Sequence, residues 1–277
     1  MFIQPCLQKH GFFVNSNPSF FVNTCMMKML LPVFILLQIV ACKKEQAIPG
    51  NFLPADTTLM AGDTANSNTA PPDTTAKTFD YLALGDSYTI GQSVPVNERF
   101  PMQLAALLKL EKIYVNEPEI IAQTGWTTQN LLNRLNGSPP AKRTYDIVTL
   151  LIGVNNQFQN RPIQEYSQQF TQLLQMSIEY AANIRRRVIV LSIPDYSVTP
   201  FAASYNPAKI AAEIDAFNLV NKTISESFGV QYLYITDATR KASTDLSLLA
   251  TDKLHPSGKA YAQWAAMLLP MVKQVLQ

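Results

Sequence analysis

The chain has 277 residues, 47% hydrophobic and 15% charged: enough apolar content for a large buried core, and too little charge for a solvated, unfolded chain. Its cysteines, Cys6, Cys25 and Cys42, all lie near the N-terminus and its histidines are His10 and His255 alone, so the remainder offers neither a disulfide nor a multi-histidine metal site. The formal charge of +2 comes from Lys9 and Lys28 in an N-terminal stretch without acids; bases and acids balance from there on, which argues against a nucleic-acid partner.

Lys28 is followed by Met29 to Val40, a run apolar apart from Gln38. It is short for a membrane span and suits the apolar core of a signal peptide. Ile39-Val40-Ala41-Cys42 then precedes Lys43-Lys44, which resembles a bacterial lipoprotein lipobox. The resemblance implies a signal peptide over residues 1–42, lipidation of Cys42, and a domain anchored to a bacterial membrane and facing the periplasm or the cell exterior. Met26 or Met27 offers an alternative start that would leave a conventional short signal, and plain secretory cleavage after Ala41 is the competing reading. Residues 43–77 are rich in Thr, Ala, Pro, Asp and Asn, and bury too little to offset ordering entropy, so a disordered tether is expected there.

From residue 78 the pattern changes. Tyr81 to Leu84 is a short apolar run ended by Gly85-Asp86-Ser87. Phe100 to Leu110 has helical spacing, a strand ends near Ile120-Ile121-Ala122, and Thr127 to Leu135 reads as a helix capped by Thr127 or Thr128. Ile147 to Ile152 is a buried strand, and residues 164–183 form an amphipathic helix with Phe170, Leu173, Leu174 and Ile178 on one side. Arg187 to Ile193 is a further strand, 207–228 a long helix, Tyr232 to Ile235 a last strand and 256–276 a last helix. Alternation of apolar β-branched runs with amphipathic helices predicts a three-layer α/β/α sandwich with about five parallel strands. Ligands of such sheets sit beyond the carboxyl ends of the strands.

The chemistry-bearing residues follow the strands. Gly85 permits a tight turn, and Ser87 opens the next segment, where its hydroxyl can face a cleft. Taken alone, Gly85-Asp86-Ser87 more readily describes a helix cap. Asp252, three residues before His255, can accept a bond from the imidazole Nδ1–H and so set the tautomer. Pro256 suits the first position of the last helix and would place His255 at its lip. Asn155, after the third strand, can donate a hydrogen bond, and Gly125, after the second, can offer an unobstructed backbone N–H. With the Ser87 N–H these would make an oxyanion hole, although each of the two is singly a common turn residue.

The set Ser87, Gly125, Asn155 and His255, in that order, resembles the SGNH/GDSL hydrolase family, through Gly85-Asp86-Ser87-Tyr88, Gly125-Trp126-Thr127-Thr128, Gly153-Val154-Asn155-Asn156 and Asp252-Lys253-Leu254-His255-Pro256. The resemblance spans about residues 79–275. It implies a flavodoxin-like sandwich over 78–277 and a serine esterase with a metal-free acyl-enzyme mechanism. Ser87 would be the nucleophile, His255 the base and Asp252 its orienting acid, with Ser87, Gly125 and Asn155 holding the oxyanion; no cofactor is implied. Tyr88, Asn156 and Ala260 depart from the family's usual leucine, aspartate and glycine, which bears on substrate subgroup.

For substrate, Trp126, Phe158 and the loop from Pro194 to Tyr205 are expected to wall the pocket. Aromatic walls suit sugar rings and short acyl chains alike, so short-chain, carbohydrate acetyl and lysophospholipid esters all stay open. Two other readings compete: a catalytically inactive surface carbohydrate-binding or adhesion module on the same fold, and a flavin-binding protein. The second is disfavoured by Asp86, whose carboxylate would repel phosphate in the loop after the first strand.

Overall fold

The computed structural model describes residues 77–276; the expected signal peptide, Cys42 and all of the expected tether except Lys77 lie outside them. A small parallel pair, β1 (Thr78–Phe79) with β3 (Tyr114–Val115), flanks the main sheet. That sheet has five parallel strands: β2 (Tyr81–Gly85), β4 (Glu119–Ala122), β5 (Ile147–Leu151), β6 (Val188–Leu191) and β7 (Gln231–Leu233). Their spatial order is β4-β2-β5-β6-β7. Every residue of β2, β5 and β6 is buried, whereas edge strands β4 and β7 are mostly half-exposed. This explains why the central strands read as continuous apolar runs: helices cover both of their faces.

Helices α1 (Ser87–Ile90) and α2 (Phe100–Leu110) follow β2, and α3 (Thr128–Gly137) follows β4. After β5 come α4 (Val154–Phe158) and α5 (Ile163–Tyr180), after β6 comes α6 (Pro207–Ser227), and α7 (Thr236–Arg240) and α8 (Gly258–Leu276) complete the chain. Right-handed crossovers put α2 and α8 together in one layer, and α3, α5 and α6 in the other. Between α2 and α8, Phe100, Tyr261 and Trp264 pack with ring centroids 5.0 to 6.3 Å apart. Among the described residues, no helix is long and apolar enough to cross a membrane.

The expected three-layer α/β/α sandwich is present, with the flavodoxin-like strand order. Winding reverses between β2 and β5, and the crevice beyond their carboxyl ends is where such folds bind ligands. Several boundaries differ from the sequence expectation. The last helix begins at Gly258, not at residue 256, with Ser257 capping it through Oγ to the Ala260 N–H. Pro256 instead forms a bridge with Leu249, so its fixed φ serves an extended segment. The last strand ends at Leu233, and Ile235 precedes α7. Helix α5 stops at Tyr180 because Ala182 and Asn183 adopt positive φ.

Candidate active site

Beyond the carboxyl ends of β2, β4 and β5, a cleft of about 140 Å³ is lined by Ser87, Gly125, Asn155 and His255, four of the residues singled out in the sequence. Ser87 and His255 are 4% and 7% exposed, so both are largely shielded from solvent. Tyr88, Thr124, Val154, Phe158, Tyr196, Phe201 and Leu254 complete the lining, which is therefore mainly apolar.

Each residue is placed by a local device. The turn from β2 into α1 needs a glycine at 85, where a Cβ would stand 2.4 Å from the Leu151 carbonyl oxygen. Asp86 caps α1 by accepting the Tyr88 N–H at 3.0 Å, leaving Ser87 as the first helical residue. Burial pushes the Asp86 carboxyl up to about 7, against hydrogen bonds from backbone N–H groups that act to lower it. Gly125 takes φ +83, and a Cβ there would meet nothing, so backbone conformation and not space calls for glycine. Asn155 lies in the first turn of α4, and its Nδ2 donates to the Trp126 carbonyl at 3.0 Å. A carboxamide nitrogen carries two N–H bonds, so one remains for the cleft.

Asp252 and His255 share one tight loop. Asp252 Oδ1 accepts the backbone N–H of Leu254 at 3.0 Å and of His255 at 2.9 Å, a turn that Lys253 completes at φ +60. Asp252 Oδ2 lies 2.7 Å from His255 Nδ1. A bridge between Leu249 and Pro256 holds this loop, with the Ala250 N–H donating to the His255 carbonyl at 2.8 Å. Partial burial alone would raise the Asp252 carboxyl, but hydrogen bonds from Ser93, His255 and the backbone outweigh it and hold it at about 2. The carboxylate therefore stays charged at neutral pH, as an orienting acid requires.

Two residues in this arrangement escape sequence reasoning. Tyr88, legible only as a departure from the usual leucine, packs its ring against the His255 imidazole with centroids 5.2 Å apart. Ser93 donates from Oγ to Asp252 Oδ2 at 2.7 Å across 159 residues, and no spacing signal marks it. Trp126, expected in the pocket wall, packs against the core and contributes its carbonyl to Asn155 instead. The aromatic wall comes from Phe158, Tyr196 and Phe201, with Tyr205 stacked on Phe201 at 5.5 Å. Tyr196 donates to Gln157 of α4 at 2.9 Å, and buried Asp195 pairs with Arg240 at 2.9 Å, so the loop after β6 is pinned at both sides. Asn156, where an aspartate is usual, accepts the Thr128 N–H at 3.0 Å and donates to the Thr128 hydroxyl at 2.7 Å, joining α4 to α3. Among the described residues, no group of three or more His, Cys, Asp and Glu converges as a metal site would.

The model of the GDSL-like lipase/acylhydrolase family matches residues 83–263. Solved structures share the fold. The lipase Lip_vut3 from a goat rumen metagenome is 19% identical, with 70% of this chain and 97% of that one covered at a TM-score of 0.57. The acetylxylan esterase Axe2 from Geobacillus stearothermophilus is 17% identical, with 70% and 94% covered at 0.54. The psychrotrophic esterase EstA from Pseudoalteromonas sp. is 19% identical, with 72% and 98% covered at 0.51. No curated protein matches by sequence. The class is thus an ester-acting hydrolase on a parallel α/β sandwich. The chain belongs to the GDSL-like lipase/acylhydrolase family.

Proposed function

We propose that this enzyme cleaves short-chain carboxylic esters through a covalent acyl-enzyme on Ser87. The observation that carries the reading is the meeting of Ser87, Gly125, Asn155 and His255, from four separate segments, in one cleft, with Asp252 at 2.7 Å from the imidazole. His255 Nε2 takes the Ser87 proton as Oγ attacks the ester carbonyl, while Asp252 holds Nδ1–H and stabilises the imidazolium. The carbonyl oxygen becomes an oxyanion, received by the N–H groups of Ser87 and Gly125 and by Asn155 Nδ2. Collapse of the tetrahedral adduct expels the alkoxide, which the imidazolium protonates. Water then adds to the acyl-serine by the same path, the acid leaves, and Ser87 regains its proton.

The size and chemistry of the cleft support a small acyl group. Its volume of about 140 Å³ is comparable to the ~150 Å³ cavity that admits benzene. An acetyl to butyryl group fits this space, whereas a long chain would extend out of it. Phe158, which lines the cleft, is 41% exposed, and Tyr205, packed against Phe158 and Phe201, is 50% exposed, so aromatic surface is available beside the cleft for the alcohol moiety. Such surface suits a sugar. An acetylated carbohydrate is therefore the substrate class best supported, and Axe2, on the same fold, is an acetylxylan esterase. The domain is held at the bacterial envelope, facing the periplasm or exterior, by a lipid on Cys42 and a tether over residues 43–77; the apolar run before Cys42 and the composition after it support this arrangement.

A fluorophosphonate probe with peptide mapping, alongside a panel of p-nitrophenyl esters and acetylated sugars, tests the reading. The expected adduct is on Ser87, Ser87→Ala abolishes turnover, and acetate and butyrate esters outpace octanoate. An unlabelled Ser87 would favour a carbohydrate-binding module, and faster octanoate cleavage would overturn the short-acyl assignment.

A further inference from the structure

The Asp252 carboxylate receives four donors. Oδ1 takes the backbone N–H groups of Leu254 and His255 at 3.0 and 2.9 Å, and Oδ2 takes the Ser93 hydroxyl and His255 Nδ1–H, each at 2.7 Å. Of these four, Ser93 alone comes from outside the loop that carries the acid and base. It stands six residues beyond Ser87, just past the short helix that the nucleophile opens. That helix is closed by Gly91 at φ +69, and Ser93 itself takes φ +66. A serine in this left-handed region costs more than a glycine would. The chain therefore carries a hydroxyl side chain at a position where its backbone favours none, and that hydroxyl is bonded to the oxygen that orients His255.

We propose that Ser93 is a positioning residue for the reaction: its hydroxyl fixes the Asp252 carboxylate so that Oδ2 stays on His255 Nδ1, and it ties the nucleophile's segment to the loop of the acid and base. This rests on the assignment of Ser87, His255 and Asp252 made above. Without the Ser93 donor, Oδ2 of a carboxylate about a third exposed keeps His255 Nδ1–H as its one protein partner and competes with water for it, while Oδ1 stays on the two backbone N–H groups. The imidazole then loses part of its alignment with Ser87 and the support for its protonated form. Ser93 does not line the cleft, so substrate binding does not depend on it.

The two informative variants of the full chain are Ser93→Gly and Ser93→Asn, assayed with p-nitrophenyl acetate. Glycine removes the hydroxyl while relieving the backbone, so folding is preserved. Its kcat is expected to fall about tenfold, the scale of one hydrogen bond to a charged group, with KM within about twofold of the parent and a thermal midpoint equal or higher. Asparagine tolerates positive φ and supplies an N–H donor, so Ser93→Asn should recover most of that kcat. Unchanged kcat in Ser93→Gly overturns the proposal, as does a loss confined to KM, or one that tracks a lowered thermal midpoint. Ser87→Ala is measured beside them. If it is inactive while Ser93→Gly is unimpaired, only the role of Ser93 falls; if it retains full turnover, the assignment of the nucleophile falls and the role of Ser93 with it.

Discussion

Two carboxyl groups near the cleft are driven in opposite directions, and the contrast is measurable. Asp86 is fully buried and sits at about 7, whereas Asp252, with four donors, sits at about 2, both starting from an ordinary 3.8. For Asp86 the folded value lies above the unfolded one, so folding takes up a proton between about pH 4 and pH 7, and its contribution to stability declines as pH rises through that window. For Asp252 the folded value is depressed, so its contribution is complete above about pH 4 and is lost as pH falls toward 2. Asp86→Asn keeps an oxygen for the Tyr88 N–H and removes the titration. Its thermal midpoint relative to the parent is therefore expected to improve from pH 5 to about pH 7 and to level off above that. A constant difference across that range would show that Asp86 ionises as an ordinary carboxylate. At this scale much of the site is legible in sequence. His255 stands out because histidine is rare in this chain, Asp252 because local spacing pairs it with that histidine, and Ser87 because it directly follows a strand and a turn glycine. Ser93 is illegible, since a lone loop serine carries no spacing signal and its partner is 159 residues away.

At the scale of elements, the long helices and buried strands announce themselves by period, and the pieces that aim the site do not. Helices α1 and α4, of four and five residues, are too short to show a periodic pattern, yet they position Ser87 and Asn155. Pro256 illustrates a second kind of ambiguity. A fixed φ suits either a helix start or an extended bridge, and the pairing with Leu249 selects the bridge. Entry into α4 depends on Gly153, which takes φ +135 and whose Cβ, if present, would stand 2.6 Å from both Ile193 Cδ1 and Tyr166 Cε2. Strain and overpacking therefore combine in Gly153→Ala, which is expected to cost about 3 kcal/mol or more. Chemical denaturation with an unchanged m-value would measure it. A cost below about 1 kcal/mol would mean that the turn relaxes freely.

At the scale of the whole molecule, the reversal of winding between β2 and β5 opens the crevice that the site occupies, and the loop before α8 brings His255 to it. The proposed envelope attachment belongs to this scale too. Expressed in a bacterium, the full chain is expected in the membrane fraction with a lipid mass on the Cys42 peptide, and Cys42→Ser is expected in the soluble fraction with kcat unchanged. An unmodified Cys42 in a soluble product would remove the anchor.

By itself the sequence determined the class of the fold, the order of its long elements and the residue types at the site, because periodicity, turn chemistry and short spacings are local properties. Tertiary structure alone decided the strand order β4-β2-β5-β6-β7, the exclusion of Trp126 from an aromatic wall whose other members the sequence had indicated, the volume of the cleft and the fourth donor on Asp252. These depend on which distant segments pack against one another. Packing is decided by the summed burial of the whole core, so no single stretch of chain encodes it.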